Sequence, residues 1–79
     1  MISFKPFFNT LLRLDITEYE LVHTYKVSSN TIHRMRLNLP ITTKTIDNLC
    51  FILNCEVSDI MCHDKFVDID IDKYSFSIK

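Results

Sequence analysis

Apolar residues recur at helical spacing through the first sixty positions of the chain and then switch to strict alternation. Phe7, Phe8, Leu11 and Leu12 repeat behind Pro6, a residue suited to a first helical turn because its missing N–H has no intrahelical partner there. The spacing predicts a helix to about Leu14, closed by Asp15, with Ile2 and Phe4 as a short extended lead-in. Thr17 followed by Glu20 has the capping-box spacing, so a second helix is expected from Glu18 to near Thr24, carrying Tyr19, Leu21 and Val22. Lys26 and the polar run 28–30 break that pattern. Ser28 offers a hydroxyl to cap a third helix, in which Ile32 and Met35 share one face while Ser29, Asn30, His33, Arg34 and Arg36 occupy the others. This helix buries little and displays much. Pro40 disfavours helix at Leu39, which makes 37–41 a loop. Thr42 or Thr43 then caps a fourth helix in which Ile46, Leu49, Cys50 and Leu53 fall at i, i+3, i+4 and i+7, with Asn54 as its left-handed end. Ser58 begins a short fifth helix carrying Ile60 and Met61.

Beyond residue 63 the period changes. Val67, Ile69 and Ile71 alternate with Asp68, Asp70 and Asp72, and Tyr74, Phe76 and Ile78 alternate with Ser75 and Ser77 in shifted phase. A two-residue turn at Asp72-Lys73 accounts for the shift, and a single bulged strand accounts for it equally. The expected architecture is an all-α, five-helix domain over 1–63 followed by a β-strand or hairpin tail over 64–79.

Glycine is absent from all 79 residues, so turns that need a positive φ must use other residues, with Asp15, Lys26, Asn38 and Asn54 as the candidates. A chain of this length forms one domain that buries only about 60% of its unfolded surface. No apolar run approaches the roughly 18 residues of a membrane span, and the N-terminal stretch reads as part of the fold and not as a signal. Three cysteines, an odd number, point to reduced thiols in a cytoplasm. Cys50, Cys55, Cys62 and His63 lack the short loop spacing of zinc ligands, and Cys50 lies on an apolar helix face, so no metal is expected and no cofactor is implied. His23, His33 and His63 have no evident acid or nucleophile partner, and without glycine there is no phosphate loop; an enzyme is the least supported class. Asp68, Asp70 and Asp72 are read as a solvated strand face.

Nine basic and ten acidic residues give a net charge of −1, which argues against generic polyanion binding. The placement of those charges is more informative than their sum. No acid occurs between His23 and Lys44, a window that holds Lys26, Arg34, Arg36 and Lys44. A helix with short hydrogen-bonding side chains in its first turn and arginines further along meets the needs of a major-groove reader. The plain alternative is a solvated helix face, and the segregation of charge by sign favours the reader.

The stretches ISFKPFF, TEYEL, VSSNTIHRMR, ITTKTIDNLC and LNCEVSDIM together resemble the Cro/repressor-type (Xre-like) helix-turn-helix family, the lambda-repressor-like fold, over about residues 2–62. The resemblance implies five helices, a dimer on a two-fold operator of double-stranded DNA and the third helix in the major groove. It places Ser29, Asn30 and Arg34 at base-facing positions with His33 beside them, and Val27, Ile32 and Met35 at buried ones. Lys26, Ser28, Arg36, Thr42, Thr43 and Lys44 are the expected phosphate contacts. By analogy with regulators that pair C-terminal strands, Val67, Ile69, Ile71, Tyr74, Phe76 and Ile78 are the expected dimerisation residues. Four positions depart from the family pattern. Lys26 stands where Gly or Asn is usual, Glu18 where a phosphate-facing polar group is common, and Leu37 and Leu39 where basic or polar groups are frequent.

Two functions of different class follow. The first is a cytoplasmic, sequence-specific transcriptional regulator, a repressor from a bacterium, phage or mobile element. The second is a helix-turn-helix domain reused as a protein-binding module, such as an antitoxin or an inhibitor of a host defence nuclease; the exposed leucines, acidic tail and low net charge motivate it.

Overall fold

The helices are joined by turns made entirely without glycine. Asp15, Lys26, Asn38 and Asn54 take the left-handed conformation at φ 57°, 62°, 56° and 50°, the four positions expected from the absence of glycine, at a cost of about 1 kcal/mol or more where the residue is not Asn or Asp. The computed structural model describes residues 1–65. The tail expected over 64–79, with its dimerisation residues Val67, Ile69, Ile71, Tyr74, Phe76 and Ile78, therefore falls almost wholly outside the described residues.

In chain order the elements are β1 (Ile2–Ser3), α1 (Lys5–Leu14), α2 (Glu18–His23), α3 (Ser29–Arg36), α4 (Thr43–Leu53), a 3-10 turn (Val57–Asp59) and β2 (Cys62–His63). The described residues thus hold four α-helices, not five. The expected fifth helix shrinks to one 3-10 turn because Glu56 and Asp59 close a capping box across it and the chain is already extended again by Cys62. Nor is the domain all-α. The N-terminal lead-in pairs antiparallel with β2, Ile2 opposite His63 and Ser3 opposite Cys62, which ties the two ends of the described chain together.

Each helix end has a local cause. Thr17 accepts from the Glu20 N–H at 3.1 Å while the Glu20 carboxylate accepts from the Thr17 N–H, so the capping box forms as its spacing predicts. Thr42, not Thr43, caps α4, accepting from the Thr45 N–H at 3.2 Å. Ser28 occupies the N-cap position of α3, but its hydroxyl makes no capping bond.

The core is built from one stripe on each helix. Phe7, Leu21, Met35, Leu49 and Ile60 are fully buried, and Phe4, Leu11, Ile32, Ile46 and Leu53 complete the cluster. Each of these side chains contributes about 1.5–3 kcal/mol. Phe8 is only partly buried, and Leu12 is 80% exposed despite its place in the apolar repeat. The one buried polar side chain among the described residues, Thr10, donates to the Asp59 carbonyl at 2.8 Å and so fixes α1 to the 3-10 turn. Cys55 packs against the same region, where burial, followed by the charges of Cys50 and Asp59, pushes its thiol up to about 11.

Candidate nucleic-acid interface

The geometry of the candidate site starts at the turn between α2 and α3. The Thr24 and Tyr25 N–H groups both donate to the Glu20 carbonyl, and the Val27 N–H donates to the Leu21 carbonyl at 2.9 Å. Lys26 adopts positive φ between them, so the turn keeps the tight form usually made with Gly or Asn. Val27 is half-buried and Lys26 is exposed. Ile32 and Met35, 5% and 0% exposed, pin α3 to the core. With those two inside, the 100° step of the helix places Asn30 and His33 on the opposite, outward side, and Ser29 on the flank towards α2. Ser28, Ser29, Asn30 and His33 are all exposed.

The two arginines of α3 are not free. Arg34 is half-buried, and its Nε and Nη2 groups both donate to the Pro40 carbonyl, at 3.1 and 2.7 Å. Arg36 pairs with the Glu18 carboxylate, and its guanidinium carbon lies 5.1 Å from the centroid of the Phe8 ring. Glu18, an acid at an awkward position for a phosphate contact, thus has a partner within the fold. Sequence reasoning missed both contacts. Pro40 acts through a backbone oxygen, which leaves no trace in side-chain pattern, and Glu18 lies 18 residues from Arg36.

The N-terminus of α4 adds a second polar surface. Thr42, Thr43 and Lys44 are exposed in its first turn, where unpaired backbone N–H groups favour an anion. The profile of the Cro/C1-type HTH DNA-binding domain matches residues 9–65, which is more than half of the chain and contains α2, the turn, α3 and the α4 N-terminus. The chain belongs to the Cro/C1-type helix-turn-helix DNA-binding family. Among solved structures it is similar to the transcriptional regulator VanUg, at 24% identity and a TM-score of 0.70, covering 77% of this chain and 81% of that one. No curated protein matches it.

Within this Cro/C1-type domain, the sequence-predicted residues divide by what holds them. Ser29, Asn30 and His33 stand exposed together on α3, whereas Arg34 and Arg36 are engaged by Pro40 and Glu18. Lys26 and Ser28 sit at the entry to α3, and Thr42, Thr43 and Lys44 at the entry to α4. A groove of about 500 Å³ runs between α2 and α3, with Tyr19 and His23 stacked on its α2 side at a centroid distance of 4.1 Å. A second, apolar groove of about 370 Å³ lies on the sheet side, between Met1, Ile2, Leu39, Pro40 and Met61. Leu37, 54% exposed, and Leu39, 38% exposed, are solvent-facing apolar groups after α3. Among the described residues no helix is long and apolar enough to cross a membrane.

Proposed function

We propose that this chain is a sequence-specific transcriptional repressor that binds a palindromic operator as a dimer, with α3 in the major groove. The observation that carries the reading is the exposure of Ser29, Asn30 and His33 on one outward surface of α3, inside a window from His23 to Lys44 that contains no acid. Their side chains have the donor and acceptor pattern that base edges require, with Asn suited to adenine at about 1–3 kcal/mol of discrimination. Lys26, Ser28, Thr42, Thr43 and Lys44 supply contacts to the DNA backbone from the starts of α3 and α4. Arg36 joins them by exchanging Glu18 for a phosphate. The reading places the protein in the cytoplasm of a bacterium, as a product of its own genome, a phage or a mobile element, and assigns it no catalytic role.

A mobility shift against the chain's own promoter region tests this. Asn30→Ala is expected to weaken the specific complex by roughly tenfold or more, and an unchanged shift overturns the assignment. Dimerisation is assigned to the tail over 64–79, with Val67, Ile69, Ile71, Tyr74, Phe76 and Ile78 as the buried set. A chain ending at Asp64 is then monomeric in light scattering; a persistent dimer moves that role to the helices.

A second reading is favoured by the apolar groove at Met1, Ile2 and Met61 and by exposed Leu37 and Leu39. In it the domain serves as a protein-binding module, an antitoxin or nuclease inhibitor. A stable protein partner co-purified without nucleic acid supports this reading, and loss of that partner on Leu39→Asp locates its surface.

A further inference from the structure

Arg34 lies on α3 among residues assigned to base reading, yet its guanidinium already has a task. Both N–H groups on its Nε edge converge on one oxygen, the Pro40 carbonyl, at 3.1 and 2.7 Å. Its own carbonyl accepts from the Leu37 N–H at 3.2 Å and the Leu39 N–H at 2.9 Å. One residue therefore holds the loop between α3 and α4 at three successive points, positions 37, 39 and 40. Pro40 is two residues before Thr42, the N-cap of α4. The loop contains no glycine, and its left-handed residue, Asn38, is fixed from the other side by the Phe4 N–H, which donates to its Oδ1 at 2.9 Å.

We infer that Arg34 is a positioning residue for DNA binding, not a base reader: it sets the α4 N-terminus, with Thr42, Thr43 and Lys44, at a fixed spacing from α3. The inference rests on the DNA-binding reading above and sharpens it. Base choice is then confined to Ser29, Asn30 and His33, the exposed groups of the first turn and a half of α3. Arg34 is less exposed than these three and lies on the α3 flank nearest the loop it binds. To reach a base pair as a freely extended arginine it would have to release the Pro40 carbonyl, the point at which its side chain holds the loop two residues before the α4 N-cap. Its three remaining N–H groups keep their positive charge beside the loop, where they add to attraction for the DNA backbone without reading sequence.

The two roles give different sequence profiles. The full chain and its Arg34→Ala, Arg34→Lys and Asn30→Ala variants are each used to select duplexes from a random pool, and amide hydrogen exchange is followed at 39–43. With a positioning role, Arg34→Ala selects the wild-type consensus, binds preferred and scrambled duplexes more weakly by a similar factor of about ten, and accelerates exchange at 39–43. Arg34→Lys keeps the charge and loses the two-pronged bond, so it also selects the same consensus with accelerated exchange, and its circular dichroism spectrum certifies the fold. Asn30→Ala loses preference at one base pair with exchange unchanged. A pool from Arg34→Ala that is degenerate at one base pair, or unchanged exchange at 39–43 in both Arg34 variants, overturns the inference. A wild-type chain that selects no duplex at all overturns the DNA-binding reading instead.

Discussion

Replacing Glu18 by glutamine should strengthen DNA binding while slightly weakening the fold. The Glu18–Arg36 pair joins the first residue of α2 to the last of α3, with the two side chains 40% and 53% exposed. A pair so open to solvent contributes about 0–1 kcal/mol to stability. Losing it lowers the melting temperature of a domain this size by no more than about 4–8 °C. Arg36 then keeps Phe8 beneath it but has no carboxylate to leave when a phosphate approaches. The exchange is partial while Glu18 competes, so its removal adds up to one neutralised phosphate, which steepens the dependence of log K on log salt by up to about 0.9 and raises affinity by up to roughly fivefold at about 0.15 M salt. Mobility shifts or fluorescence anisotropy at four or five salt concentrations measure both quantities. In an Arg36→Ala background the Glu18→Gln change should no longer affect the slope. If Glu18→Gln lowers the melting temperature but leaves slope and affinity as they were, Arg36 is an internal brace only and the exchange mechanism is wrong.

Other substitutions probe the scaffold. Met35→Ala removes a fully buried anchor of α3 and should cost about 2–5 kcal/mol in denaturant unfolding; a cost below about 1 kcal/mol would show that the core closes without it. Asn38→Ala removes the polar side chain that eases the left-handed conformation at φ 56° and strips the Phe4 N–H of its acceptor, for a loss of about 1–3 kcal/mol by the same assay. At pH 8 the exposed Cys62 should react with a thiol reagent well before Cys55, whose thiol is pushed up to about 11 by burial. The same shift makes Cys55 favour the fold fully below its ordinary value of 9.0, and this contribution is lost as pH rises towards 11. A Cys55→Ser variant should therefore show a smaller decline in stability over that alkaline window.

Much of the scaffold was legible because local rules act within a few residues. The absence of glycine singles out Asp15, Lys26, Asn38 and Asn54, and all four adopt positive φ. Thr17 and Glu20 mark the start of α2, and the i, i+3, i+4 pattern from Ile46 to Leu53 marks α4. What was hidden depends on distant partners. Ile2–Ser3 and Cys62–His63 are too short to show any alternation, and their pairing spans sixty residues. Leu12 continues an apolar repeat yet is 80% exposed, since no other described element packs over that side of α1. At the candidate interface, residue type and order pointed to the outward positions of α3, but which arginines were already engaged could be read only once Pro40 and Glu18 had been placed in space.

A titration of the isotope-labelled protein with a duplex selected from a random pool, followed by amide NMR shifts, tests the central claim most directly. The account predicts that the largest changes fall at 26–36 and 42–44, on the starts of α3 and α4. Changes confined to the apolar groove around Ile2, Leu39 and Met61, or a duplex that causes no change at all, would contradict it.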